Sequence, residues 1–150
     1  PAEYQLMVKS RLNEILVLLI RELQYNAAAQ GTSMGTHSID AIRRAMRYID
    51  DNLHADLSLS AIAETAQMSP TYFSAVFKQV NNITLWHYIN HKRVELAMHA
   101  IDGNPEAKMI DVAVSCGFNN TANFNKMFKK YTGITPSFYK KYGHIAFYVE

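Results

Sequence analysis

Phe73, Phe77, Lys78, Ile83, Thr84 and Tyr88 recur 51 residues later as Phe124, Phe128, Lys129, Ile134, Thr135 and Tyr139. Just upstream the offset is 50 residues, pairing Ile62 with Val112, Ala63 with Ala113, Ala66 with Cys116 and Met68 with Phe118. One extra residue, at Asn119, therefore sits in the turn of the second copy. A chain with this self-similarity folds into two like units that bury the same positions, and two like modules suit a target that itself repeats, of which double-stranded DNA is the commonest.

Composition narrows the class. At 150 residues and 49% hydrophobic content the chain can bury the core of one or two small domains. The apolar run from Ile15 to Ile20 is far shorter than the ~20 residues that cross a bilayer, and no basic segment with a cleavage site marks a signal peptide. No membrane partner is expected. A single cysteine, Cys116, rules out an internal disulfide and suits a reducing cytoplasm. The chain opens on Pro1 rather than Met, so a preceding segment is expected. The net charge of +2 argues little, but its distribution argues more: no acid lies between Asp111 and Glu150, whereas Lys126, Lys129, Lys130, Lys140 and Lys141 all do.

Periodicity gives an all-α fold. Residues 3–28 place Leu12, Ile15, Leu16, Leu19 and Leu23 on one face of a long amphipathic helix. Residues 27–37, rich in Ala, Gln, Gly, Thr and Ser, have the composition of a flexible connection. The expected domains are thus 1–37, a helix and linker, and 38–150. Ser38 is a candidate cap for a helix with Ile42, Ala45, Met46, Ile49 and Leu53 inward and Arg43, Arg44 and Arg47 facing water or phosphate. Ser58 caps a short helix holding Ile62, Ala63 and Ala66, and Ser69 followed by Pro70 starts the next after a turn of three residues. So short a turn forces the two helices to cross steeply, with Ala63 where they approach and Met68, Phe73 and Val76 where they pack. A helix from Thr84 to Gly103 follows, roughly 28 Å long at 1.5 Å per residue. Met109 to Cys116 and Thr121 to Tyr131 then repeat the helix, turn, helix arrangement, with Gly117 at the turn and Asn119 or Asn120 as cap. Thr135 and Pro136 open a last short helix. The tail from Ile145 to Val149 is the one stretch that alternates like a strand.

In each unit the second helix hides Phe73, Val76 and Phe77, or Phe124, Met127 and Phe128. The opposite face then presents Thr71, Ser74, Ala75 and Lys78 in one copy and Ala122, Asn125, Lys126 and Lys129 in the other, with Tyr72 and Thr121 beside them. Short polar and basic side chains are what a major groove admits: Asn pairs bidentately with adenine, Lys with guanine, and Ala or the Thr methyl touches thymine. Lys78 and Lys129, later on their helices, reach phosphate, as do Arg43, Ser69, Asn120 and Lys130. The long helix and its flanking turns hold the two surfaces about one turn of DNA apart, roughly 34 Å.

Residues 38–142 resemble the DNA-binding domain of the AraC/XylS family of bacterial transcription regulators. The resemblance is carried by IDVAVSCGFNNTANFNKMFKKYTGITPSFYKK (110–141), with support from LSLSAIAETAQMSPTYFSAVFKQ (57–79) and RVELAMHAI (93–101). It implies a seven-helix, two-lobed domain that binds promoter DNA with both recognition helices, contacts RNA polymerase and activates transcription. It also implies an effector-sensing domain ahead of this one, with residues 1–30 its final helix and residues 4–25 a homodimer contact. Ser74 and Ala75 stand in the first recognition helix where the family often has stronger base readers.

Other chemistry is weighed and set aside. His87 and His91, four apart on a helix, lack the third ligand or adjacent Glu of a metal site and read as plain surface. Cys116 reads as a buried small hydrophobe, not a nucleophile. Trp86 and Tyr88 read as core. With neither a carboxylate pair nor a phosphate loop, the expectation is no enzyme, no metal and no cofactor. The alternative of another class is a helical protein-interaction module that oligomerises through its N-terminal helix. It requires exposed apolar faces at 71–78 and 122–129.

Overall fold

The computed structural model describes residue 15 and residues 36–143, among which there are seven helices and no strand. In chain order these are α1 (Thr36–Asp51), α2 (Leu59–Thr65), α3 (Pro70–Asn81), α4 (Leu85–Gly103), α5 (Met109–Ser115), α6 (Thr121–Thr132) and α7 (Pro136–Tyr142). The chain divides into two units, Pro1–Ile39 and Asp40–Glu150. In the first, Ile15 is helical and exposed. The rest of the helix expected over 3–28, the linker up to residue 35 and the tail 145–149 lie outside the described residues.

Side-chain oxygens cap five helices by accepting a backbone N–H of the first turn. Ser58 takes Ala61 N, Ser69 takes Tyr72 N, Thr84 takes His87 N, Asn120 takes Asn123 N and Thr135 takes Phe138 N. Each is worth about 1 kcal/mol and fixes where its helix begins. The expectation for Ser38 is corrected, because α1 already starts at Thr36 and Ser38 lies inside it. Adding Thr, His and Ser to a nucleated helix costs only about 0.5 kcal/mol per residue, too little for a capping preference to stop it.

Both helix-turn-helix turns are built alike. After α2, Met68 N donates to Ala63 O at 3.1 Å, and after α5, Phe118 N donates to Ala113 O at 3.0 Å. This six-to-one bond needs one left-handed residue, supplied by Gln67 at φ 57° and Gly117 at φ 86°. Ala63, the small residue expected at the crossing, is buried, as are its repeat counterpart Ala113 and, at the helix ends, Ala66 and Cys116.

The repeat runs further than the motif that first reveals it. Ile42, Ala45 and Ile49 of α1 correspond, 52 residues on, to Val94, Ala97 and Ile101 of α4, and all six are at most 2% exposed. At the other end Leu85 and Tyr88 of α4 correspond to Pro136 and Tyr139 of α7, again buried. The long helix therefore has two roles: its first half closes the core of α1–α3, and its second half opens the core of α5–α7. Ring contacts repeat with it, Phe77 to Tyr88 at 5.8 Å and Phe128 to Tyr139 at 5.6 Å between centroids.

On α4 the expectation for Trp86 is corrected and that for His87 is corrected in part. Trp86 is 46% exposed instead of core. Leu85, Tyr88 and Ile89 take the inward stripe, and at about 100° per residue Trp86 has to turn out. Of the His pair expected to be plain surface, His91 is exposed and only His87 is half-buried, and Tyr131 of α6 meets both edge-on, with ring centroids 5.1 and 5.4 Å away. Burial, followed by Lys130 and His91, holds the His87 imidazole below its ordinary pKa.

Candidate nucleic-acid interface

Helices α3 and α6 each have 12 residues and sit at the same place in the two lobes. Phe73, Val76 and Phe77 anchor α3, while Phe124 and Phe128 anchor α6 with Met127 partly buried against the same core. Burying a phenylalanine is worth about 2–3 kcal/mol, so each helix has one rotation about its axis at which it packs. That rotation determines what faces outward.

On α3 the outward residues are Thr71, Tyr72, Ala75 and Lys78, with Tyr72 53% exposed and Ser74 only partly so. On α6 they are Thr121, Ala122, Asn125, Lys126, Lys129 and Lys130. Sequence periodicity thus identified the two strips. Among the described residues, Lys126, Lys129 and Asn125 make no side-chain ion pair or hydrogen bond, so their polar atoms are not occupied within the fold.

The other candidates are placed differently. Ser69 and Asn120 stand at the first turns of α3 and α6 with their side-chain oxygens engaged as caps, leaving the hydroxyl proton and the amide N–H2 to donate outward. Arg43 lies on α1, on neither strip, and pairs with Asp40 at 3.7 Å across an exposed i,i+3 spacing. Arg44 and Arg47 are exposed on the same helix. Of the lysines that make the C-terminal segment basic, Lys140 donates to Ala107 O at 3.0 Å and so ties α7 to the loop before α5.

Periodicity did not single out Arg93 of α4. Its Nε donates to Leu53 O and its Nη2 to Ala55 O, both at 2.9 Å, just beyond the C-terminal end of α1. Burial lowers the guanidinium's pKa while nearby Asp56 opposes the shift. An arginine four positions before an apolar alanine, inside a helix with a polar outer face, gives no sequence signal of a long-range partner.

Apolar side chains also reach the surface, and those of α5 line one hollow with Asn120 and Thr121 at the start of α6. Ile110 and Val114 of α5 are 57% and 63% exposed, and Phe138 and Tyr142 of α7 stack on one another at 4.7 Å. Tyr72 is the one large apolar residue exposed on α3 or α6 among the described residues. No described helix is long and apolar enough to cross a membrane.

Comparison with known proteins agrees with this architecture. Residues 62–142, more than half of the chain, match a helix-turn-helix domain family. The HTH-type transcriptional regulator YijO of Escherichia coli K12 is 31% identical over 147 residues, which is 96% of this chain and 48% of YijO. The C-terminal domain of AraT, a response regulator from Geobacillus stearothermophilus, superposes with a TM-score of 0.63 at 30% identity over 67% of this chain and 84% of that domain. The DNA-binding domain of AdpA, solved in complex with a target DNA, shares the fold with a TM-score of 0.63 at 20% identity, covering 70% of this chain and 95% of that one. The chain spans about half the length of YijO.

Proposed function

Because the chain belongs to the AraC/XylS family of helix-turn-helix transcription regulators, we propose that it reads a promoter with α3 and α6 in successive major-groove segments and activates transcription there. The observation that carries this reading is the pair of outward strips, held at one register by the same buried aromatic anchors in both lobes. A 19-residue α4 is about 28 Å long, and with its flanking turns it suits two surfaces about one turn of DNA, roughly 34 Å, apart.

In this reading Asn125 pairs with an adenine edge and Lys126 with guanine, while Ala75, Ala122 and the methyls of Thr71 and Thr121 touch thymine. Lys78, Lys129, Lys130, Ser69, Asn120 and Arg43 contact phosphate, Arg43 after release from Asp40. The α6 strip is richer in cations and amides than the α3 strip, so the second lobe supplies most of the direct base reading and the first mainly positions. RNA polymerase contact, homodimerisation through residues 4–25 and an effector bound on a preceding domain complete the proposal for the whole protein. The interaction-module reading finds no favouring observation on α3 or α6, whose outward strips are polar and basic.

Fluorescence anisotropy of a mixed-sequence duplex of about 25 base pairs, titrated at several salt concentrations, tests the core of this. Affinity that falls steeply with salt is the expected result, since each neutralised phosphate adds about 0.9 to the logarithmic slope. Flat or absent binding at low salt would overturn it.

A further inference from the structure

We infer that Arg93 is a positioning residue that sets the distance and angle between the two recognition helices, and so the separation of half-sites that the protein accepts. The inference rests on the reading of α3 and α6 as the DNA-reading helices.

Three elements meet at this side chain. Arg93 stands near the middle of α4, where that helix passes from closing the first lobe to opening the second. Its guanidinium reaches Leu53 O and Ala55 O, which follow α1 in the first lobe. From the second lobe the turn between α5 and α6 presses in: a methyl group on Gly117 would collide with Leu53 O and lie 2.8 Å from Arg93 Nε. The turn that holds Gly117 leads into α6 within four residues. Leu53 O is thus held by a charged donor, and the backbone that carries the second recognition helix crowds both partners of that bond.

The chemistry suits a spacer. Guanidinium is a planar fork whose two donors have a fixed angle, so two carbonyls bound together leave little freedom in how α4 meets the end of α1. A repeat that needed this arginine for its own core would have it twice. The counterpart of Arg93 by the 52-residue offset is Ala41, which is fully buried. The arginine therefore occurs only where the lobes join.

The consequence is read in DNA. One added base pair moves the second half-site by about 3.4 Å along the axis and turns it by about 35°, so a stiff junction accepts one spacing and a loosened one accepts several. The test is selection from a random-sequence duplex library with the whole chain, with Arg93→Gln and with Arg93→Lys, reading both the enriched half-motifs and the gap between them. For the unaltered chain two half-motifs at a single gap are expected. Arg93→Gln should enrich the same half-motifs spread over neighbouring gaps. Arg93→Lys, whose ammonium can donate to the carbonyls but without the fixed angle of the fork, should fall between.

A merely structural role would lower the melting temperature and leave the gap unchanged, and an unchanged single gap in Arg93→Gln would overturn the inference. Loss of helicity in both variants would also overturn it, by making Arg93 a requirement of folding. If the unaltered chain enriches no motif at all, the DNA-reading proposal itself fails, and that result is distinct from an unchanged gap.

Discussion

The hydroxyl of Tyr139 donates to Asp102 Oδ2 at 3.0 Å, tying α7 to the C-terminal end of α4. Its repeat counterpart ties the first lobe in the same way, Tyr88 donating to Asp50 at 2.9 Å. Each bond bolts the helix that closes a lobe to the helix that opens it. Burial, with Asp102 adding to it, pushes the Tyr139 phenol well above its usual range, so the hydroxyl stays a donor at any working pH. Tyr139→Phe keeps the ring against Phe128 and removes only the bond. Because Asp102 is exposed, the expected loss is about 1 kcal/mol, a fall of a few degrees in Tm. Tyr88→Phe should cost a similar amount, and calorimetry of the double variant should show the two losses adding, since the pairs lie near opposite ends of α4.

Asn125→Ala and Lys129→Ala should separate base reading from phosphate contact. The first is expected to weaken a selected site by about 1–3 kcal/mol and to relax one base position, with little effect on random duplex. Lys129→Ala should weaken every duplex alike and reduce the salt slope by about 1. Equal losses for Asn125→Ala on selected and random duplex would remove it from the base readers.

Two glycines with nearly the same φ should respond differently to alanine. Gly133, at φ 83°, has open space around it, so Gly133→Ala meets only the left-handed penalty of about 1–2 kcal/mol. Gly117, at φ 86°, has Leu53 O and Arg93 in the way. Gly117→Ala should therefore cost at least about 1–3 kcal/mol more, as overpacking does. Denaturant melts of the two variants side by side would show it.

Stability should respond to pH through His87. Its pKa is lowered in the folded state, so the unfolded chain binds the proton more readily. Stability from this group is complete above the unfolded value of about 6.5 and is lost as pH falls through that value toward the folded one. Melting curves between pH 5 and pH 8 should slope downward to acid, and His87→Gln should flatten part of that slope. An unchanged profile in the variant would assign the slope elsewhere.

Cys116 is 1% exposed, and burial raises its pKa. Its thiol should resist an aromatic disulfide reagent in native buffer and react freely in denaturant. Fast labelling of the native chain would mean that the α5–α6 lobe opens readily.

Much of the site was legible from spacing because the physics there is local. A helix that hides Phe124 and Phe128 four residues apart has to show Asn125 and Lys129 to the other side, whatever it packs on. Caps were legible for the same reason at Ser58, Ser69, Thr84 and Thr135, while spacing left Asn119 and Asn120 both open and the structure takes Asn120. At Ser38 the rule failed, because helix propagation outweighed a cap. Trp86 was misplaced because an aromatic ring argues for burial only if the helix rotation allows it, and that rotation was set by Leu85, Tyr88 and Ile89.

What the amino-acid sequence determined by itself is the pair of like units, their helices and turns, and the polar strip that α3 and α6 each turn outward. All of these follow from periodicity and from interactions between residues a few positions apart. Only the tertiary structure decided how the units join: Arg93 reaching back 40 residues to Leu53 O, Gly117 pressing on that same carbonyl, and Tyr131 lying across His87 and His91. Contacts at such separations depend on where two helices cross, and no periodicity along the chain encodes a crossing.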